Sequence, residues 1–124
     1  MSKRMVATLV AVLMMLCVSA LLAKDNPVGI AQKQSATFYQ PTVIGGTLVP
    51  AGNYTITHEM QGDTHYMIFK LTGGKVEVKT KCSLVPLEAK ASRSEQRFVE
   101  NANNQQVLVE MTFRGDTAKH VLAQ

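Results

Sequence analysis

The chain has 124 residues, a formal net charge of +4 and two cysteines, with 46% hydrophobic and 18% charged residues and no tryptophan. This length suits one domain and excludes an assembly of several. The Lys and Arg residues are interleaved with Asp and Glu, so no basic patch points to nucleic acid or to an anionic membrane as partner.

Lys3 and Arg4 precede an apolar run from Met5 to Leu22 that ends among small residues. This is the layout of a secretory signal peptide over residues 1–23, cleaved after Ala20 or Ala23. The run is longer than the usual h-region and approaches the ~20 residues of a spanning helix, so the competing reading is an uncleaved anchor in the inner membrane. Cys17 lies inside the run behind the bulky Leu16, which does not fit a lipobox. The expected localisation is therefore secreted or periplasmic, with the membrane touched only through the N-terminal segment. Cleavage would remove Lys3 and Arg4, leaving a net charge of about +2, and would leave Cys82 as the one cysteine. In an oxidising compartment such a residue is a free thiol, a ligand, or the link of a covalent dimer.

Residues 24–34, with Pro27 and Gly29, read as a flexible polar segment. From residue 35 to 124 short alternating stretches are separated by turn signals every eight to twelve residues, and no stretch has a sustained helical period. This pattern predicts an all-β fold: a single-domain β-sandwich, or a partly open barrel, of about seven mainly antiparallel strands behind an N-terminal signal helix. A first strand is expected around Ala36–Gln40. Thr42–Ile44 and Thr47–Val49 flank a Gly45-Gly46 turn, and Val49-Pro50-Ala51-Gly52 reads as a type I turn.

Three strands then follow in register. Tyr54, Ile56, His58 and Met60 fall on one face, as do His65, Met67, Phe69 and Leu71, and Val76, Val78, Thr80 and Cys82. Counting across two-residue turns at Gln61-Gly62 and Gly73-Gly74 sets His58 opposite His65, Ile56 opposite Met67, Phe69 opposite Val78 and His65 opposite Cys82. On the other face Lys70 is opposite Glu77, which predicts a cross-strand ion pair. Glu95–Glu100, an alternation from Val107 to Phe113, and Thr117–Leu122 complete the set, with Glu110 near Lys119.

The register brings His58, His65 and Cys82 to one end of the core face, with Met60 two residues along. Two imidazoles, a thiol and a thioether are ligand types suited to copper or zinc. The same residue types also serve as ordinary core and core-edge side chains. A Cys82–His65 nucleophile pair is the enzymatic reading, but no glycine-rich or helix-terminus element beside Cys82 offers an oxyanion hole. No other catalytic motif is present in the sequence.

The run from Gly45 to Ile56, with Pro50-Ala51-Gly52-Asn53-Tyr54 at its centre, resembles a segment of small uncharacterised secreted bacterial proteins in which a signal peptide precedes one β-domain. It departs from their pattern by having Val49 between Leu48 and Pro50. The same P-A-G-x-Y turn is similar to one in prealbumin-like sandwiches, including carboxypeptidase regulatory-like and Cna-B-type modules. The resemblance implies a β-sandwich, assigns no activity and brings no catalytic residues to carry over. The Lys–Asn isopeptide arrangement of Cna-B-type modules is not matched by positions of this chain. The leading expectation is thus a non-catalytic binding or structural module of the bacterial cell envelope, its partner another envelope protein or a surface polymer. A copper- or zinc-binding protein is the alternative, and a cysteine-dependent enzyme the third reading.

Overall fold

The computed structural model describes residues 33–124. The signal segment, including Cys17, lies outside the described residues. Nine strands form one continuous sheet that does not close, with no helix among the described residues. They are β1 (Lys33–Phe38), β2 (Thr42–Ile44), β3 (Thr47–Val49), β4 (Gly52–Gln61), β5 (Thr64–Leu71), β6 (Glu77–Pro86), β7 (Glu95–Glu100), β8 (Gln106–Thr112) and β9 (Ala118–Leu122). About seven were expected, and β1 begins earlier than Ala36, so Lys33 and Gln34 are strand residues.

The strand order is β1-β4-β5-β6-β9-β8-β2-β3, with β7 also on β8. β7 pairs along most of β8, so the opposite edge of β8 is shared. β9 takes Glu110 and Met111 in antiparallel pairing, and β2 takes Gln106 and Val107 in the one parallel pairing among the described residues. The sheet folds over: Gly45, in the β2–β3 turn, approaches Thr80 of β6, and the rings of Phe38 (β1) and Phe98 (β7) meet edge to face at 6.2 Å. A register shift at Arg97/Phe98 lets Arg97 face Glu110 at 3.2 Å while Phe98 packs against the core.

Alternation explains which side chains are inside. Tyr54 and Ile56, Met67 and Phe69, and Val78 and Cys82 are buried on one face of β4, β5 and β6, and Phe38, Ile44, Val49, Leu108 and Met111 meet them from the other strands. The P-A-G-x-Y segment gains a physical role here. Tyr54 is fully buried, and its hydroxyl donates to the Pro50 carbonyl at 2.6 Å, so the polar tip of a core ring is satisfied by the turn that launches its own strand.

The β5–β6 register is as counted, with His65 opposite Cys82, Phe69 opposite Val78 and Lys70 opposite Glu77. The outer-face ion pair, however, links Lys79 to Glu59 at 3.4 Å, with Lys79 also 4.7 Å over the Tyr66 ring. The β4–β5 register differs from the expected one by two residues. The turn is Gly62-Asp63, so Gln61 faces Thr64, Met60 faces His65, His58 faces Met67 and Ile56 faces Phe69. The reason is local: the tight turn needs a positive φ at its first central position, and Gly62, at +61°, supplies it. A slip of two leaves every side chain on its expected face. His58 and His65 become diagonal neighbours across the strands.

Gly45 has φ of +57°, and a Cβ there would stand 2.7 Å from Thr80 Cβ; Gly46 has φ of +84° and open space around it. Gly45→Ala should therefore destabilise the fold by about 3 kcal/mol, combining left-handed strain with a clash, and Gly46→Ala by only about 1 kcal/mol. Urea unfolding of the two variants measures the difference.

Candidate metal centre

Four strands carry a polar residue on the core face at the same end of the sheet. His58 follows Ile56 on β4, His65 precedes Met67 on β5, Cys82 follows Thr80 on β6, and His120 stands between Ala118 and Leu122 on β9. β9 pairs with β6, with Cys82 opposite Leu122 and Leu84 opposite His120, which brings the last strand's imidazole to the other three groups. One ligand nitrogen from each of His58, His65 and His120 lies within 4.8 Å of the other two. The His58 and His120 rings are near-stacked, with centroids 4.9 Å apart and 30° between planes, and Phe113 packs edge-on against both.

The hydrogen bonds determine the tautomers. The Asp116 carboxylate only accepts, so the group facing its Oδ2 at 3.1 Å is the amide nitrogen of Gln34. That leaves Gln34 Oε1 facing His58 Nε2 at 2.5 Å, and Nε2 carries the proton. His58 Nδ1 is thus a bare lone pair, and His65 Nε2, at 2.9 Å, donates to it. His65 Nδ1 is then also bare, and it is buried without a hydrogen-bond partner. His120 Nε2 faces Asp116 Oδ2 at 3.5 Å, and its Nδ1 faces the Cys82 thiol at 3.8 Å. Gln34 and Asp116 therefore hold both His58 and His120 with Nε2 protonated and Nδ1 turned to the cluster. Outer partners of this kind orient histidine ligands in metal sites.

Asp116 is itself clamped. Its amide donates to the Phe113 carbonyl across a turn with Gly115 at φ +88°, and the Ala91 amide donates to the Asp116 carbonyl at 2.9 Å. The Leu87 amide donates to the Thr117 carbonyl, so the segment between β6 and β7 grips the β8–β9 turn on both sides of the carboxylate.

Burial, then the neighbouring His120 and His65, brings His58 down to about 4, with Asp116 opposing. Burial, with His65 second, brings His120 down to about 4, and burial lowers His65 as well. All three are neutral near pH 7, the form that binds a metal ion. Burial pushes the Cys82 thiol up to about 12. Cys82, His120 and Asp116 fall in line as nucleophile, base and orienting acid would, but a thiol raised this far is the reverse of the thiolate such chemistry requires.

The expected ligands are thus only partly gathered. His58 and His65 sit in the cluster and Cys82 adjoins it. Met60 is 44% exposed and lines a hollow beside His65 and Cys82 rather than the three-histidine cluster. His120 takes the place that Met60 was expected to fill. No family model, no curated protein and no solved structure matches this chain.

The histidine pKa values give the pH dependence its sign. Between pH 6.5 and about 4 the unfolded chain binds more protons than the folded one, so stability is full above pH 6.5 and is lost as pH falls towards 4. His120 alone accounts for about 3 kcal/mol of this loss in the metal-free protein. Chemical denaturation at stepped pH should show it, and His120→Gln should flatten the slope.

Proposed function

We propose that this protein is an exported, non-catalytic β-sandwich module of the cell envelope that binds one transition-metal ion, zinc or copper, through His58, His65 and His120. The observation that carries the reading is the convergence of three neutral imidazoles, with ligand nitrogens within 4.8 Å of one another, at a buried end of the sheet. Three nitrogen donors of intermediate softness suit these metals, and the Gln34–Asp116 pair supplies the outer hydrogen bonds that such ligands use. A second support is energetic. A buried His65 Nδ1 with no partner costs free energy, and the bonds from a metal to the three rings would outweigh that cost.

Export rests on the sequence pattern of residues 1–23, and the folded-over sheet suits the sandwich that the P-A-G-x-Y resemblance implies. An envelope protein or surface polymer as partner belongs to the same reading. A covalent dimer through Cys82 would need that buried thiol uncovered.

Protein recovered from an exporting cell should begin at residue 21 or 24 by N-terminal sequencing. It should bind one zinc or copper ion per chain, and His58→Ala, His65→Ala and His120→Ala should each abolish stoichiometric binding by isothermal titration. Gln34→Leu should keep the site and weaken it by roughly 10–100-fold. At free metal one hundred times Kd the wild type should gain about 2.7 kcal/mol of stability. A folded wild type that takes up neither metal on titration removes the metal reading.

A further inference from the structure

Cys82 has two neighbours in the histidine cluster. It is directly opposite His65 in the β5–β6 register, and its Sγ lies 3.8 Å from His120 Nδ1. Around a tetrahedral zinc ion, bond lengths of about 2.0–2.1 Å to nitrogen and about 2.3 Å to sulfur place neighbouring donors about 3.4 Å apart for N···N and about 3.6 Å for N···S. The 3.8 Å between Cys82 and His120 is close to such an edge, the 2.9 Å between His58 Nδ1 and His65 Nε2 falls about 0.5 Å short of one, and the histidine nitrogens, up to 4.8 Å apart, draw together on binding. From this geometry we infer that Cys82 is the fourth ligand, closing a tetrahedral three-nitrogen, one-sulfur zinc site. The inference rests on the metal-binding reading above and specifies its coordination.

A second observation gives the site a way in. A hollow of about 430 Å³ is lined by Met60, Asp63, His65, Lys81, Cys82 and Leu84 among others. Of the four donors, His65 and Cys82 border it, whereas His120 is wholly buried. The ion enters from the hollow and passes between His65 and Cys82 to reach the inner rings. Met60, on the wall of the hollow, offers a thioether on the approach without being one of the four. His65, itself more than nine-tenths buried, lines this hollow and carries the unpartnered ring nitrogen.

Closure has a defined proton balance. In the metal-free protein the thiol is the donor to His120 Nδ1, so it occupies the nitrogen the metal needs. Forming the Zn–S bond breaks the S–H bond, releases its proton to solvent and frees the His120 lone pair, while His65 changes tautomer, its proton moving from Nε2 to the bare Nδ1 through exchange with solvent so that Nε2 can bind; no electron is transferred. With four protein donors the ion has no position left for water, the pattern of structural rather than hydrolytic zinc sites.

Cobalt(II), a spectroscopic stand-in for zinc, tests this on the exported protein. The wild type should show the visible bands of tetrahedral cobalt together with an intense near-ultraviolet thiolate-to-cobalt charge-transfer band. Cys82→Ser should lose the charge-transfer band while retaining cobalt on the three histidines, displaced by zinc at higher concentrations of cobalt-free competitor than a non-specific site would require. Because a wild-type spectrum alone decides the donor set, a poorly folding variant does not block the test. Cobalt bound by the wild type with no charge-transfer band overturns Cys82 as ligand and leaves the three-histidine site standing. A charge-transfer band that persists in Cys82→Ser overturns it too. A folded wild type that binds neither cobalt nor zinc overturns the histidine site and the fourth ligand together.

Discussion

Period-two alternation is the constraint on which the structure depends. A residue on the core face of a strand cannot leave that face without taking its neighbours with it. Ile56 commits His58 to the interior, Met67 commits His65, and Thr80 commits Cys82; Ala118 and Leu122 enclose His120 in the same way. Polar groups held inside in this way are stable only with partners. Because the strands align in register, some of those partners are one another, His58 with His65 and Cys82 with His120, while Gln34 and Asp116 supply others. The apolar core and the polar cluster are thus two ends of a single inward-facing surface, and the packing that orders the first also concentrates the second.

How much of this was legible follows from how far apart in sequence the contacting residues lie. Hairpins can be counted, so the β5–β6 register and the facing of His65 and Cys82 followed from the residues alone. The β4–β5 count erred by two because Gly62, rather than Gln61, occupies the first turn position, yet parity kept His58 with His65. Non-local pairings gave no such handle. The β6–β9 pairing joins Cys82 to Leu122 across forty residues, so nothing in a hairpin count indicates that His120 is the third imidazole. The available signal was the alternation Ala118, His120, Leu122.

The outer partners were harder still. Asp116 sits in an Arg-Gly-Asp turn, where an acidic residue ordinarily faces water, and its burial depends on the segment between β6 and β7 folding across it. Gln34 lies in a polar stretch that reads as flexible. It is ordered because β1 pairs with β4, setting Gln34 opposite Ile56, next to the strand position that carries His58 on the same face. A glutamine has no chemical signature in a sequence; its role is visible only when the carboxylate on one side of it fixes which way its amide faces.

The bond between Gln34 and Asp116 spans 82 residues, nearly the whole described chain. Its strand, β1, is at the outer edge of the sheet, so this strand's docking and the closing β8–β9 turn must both be complete before His58 and His120 acquire their orienting partners. No partial chain contains the assembled constellation. Were the proposed export to take the chain across unfolded, the compartment of origin would meet only scattered histidines with no common geometry. The ion held at the end would then reflect the composition of the destination compartment, with folding itself deciding when and where selection takes place.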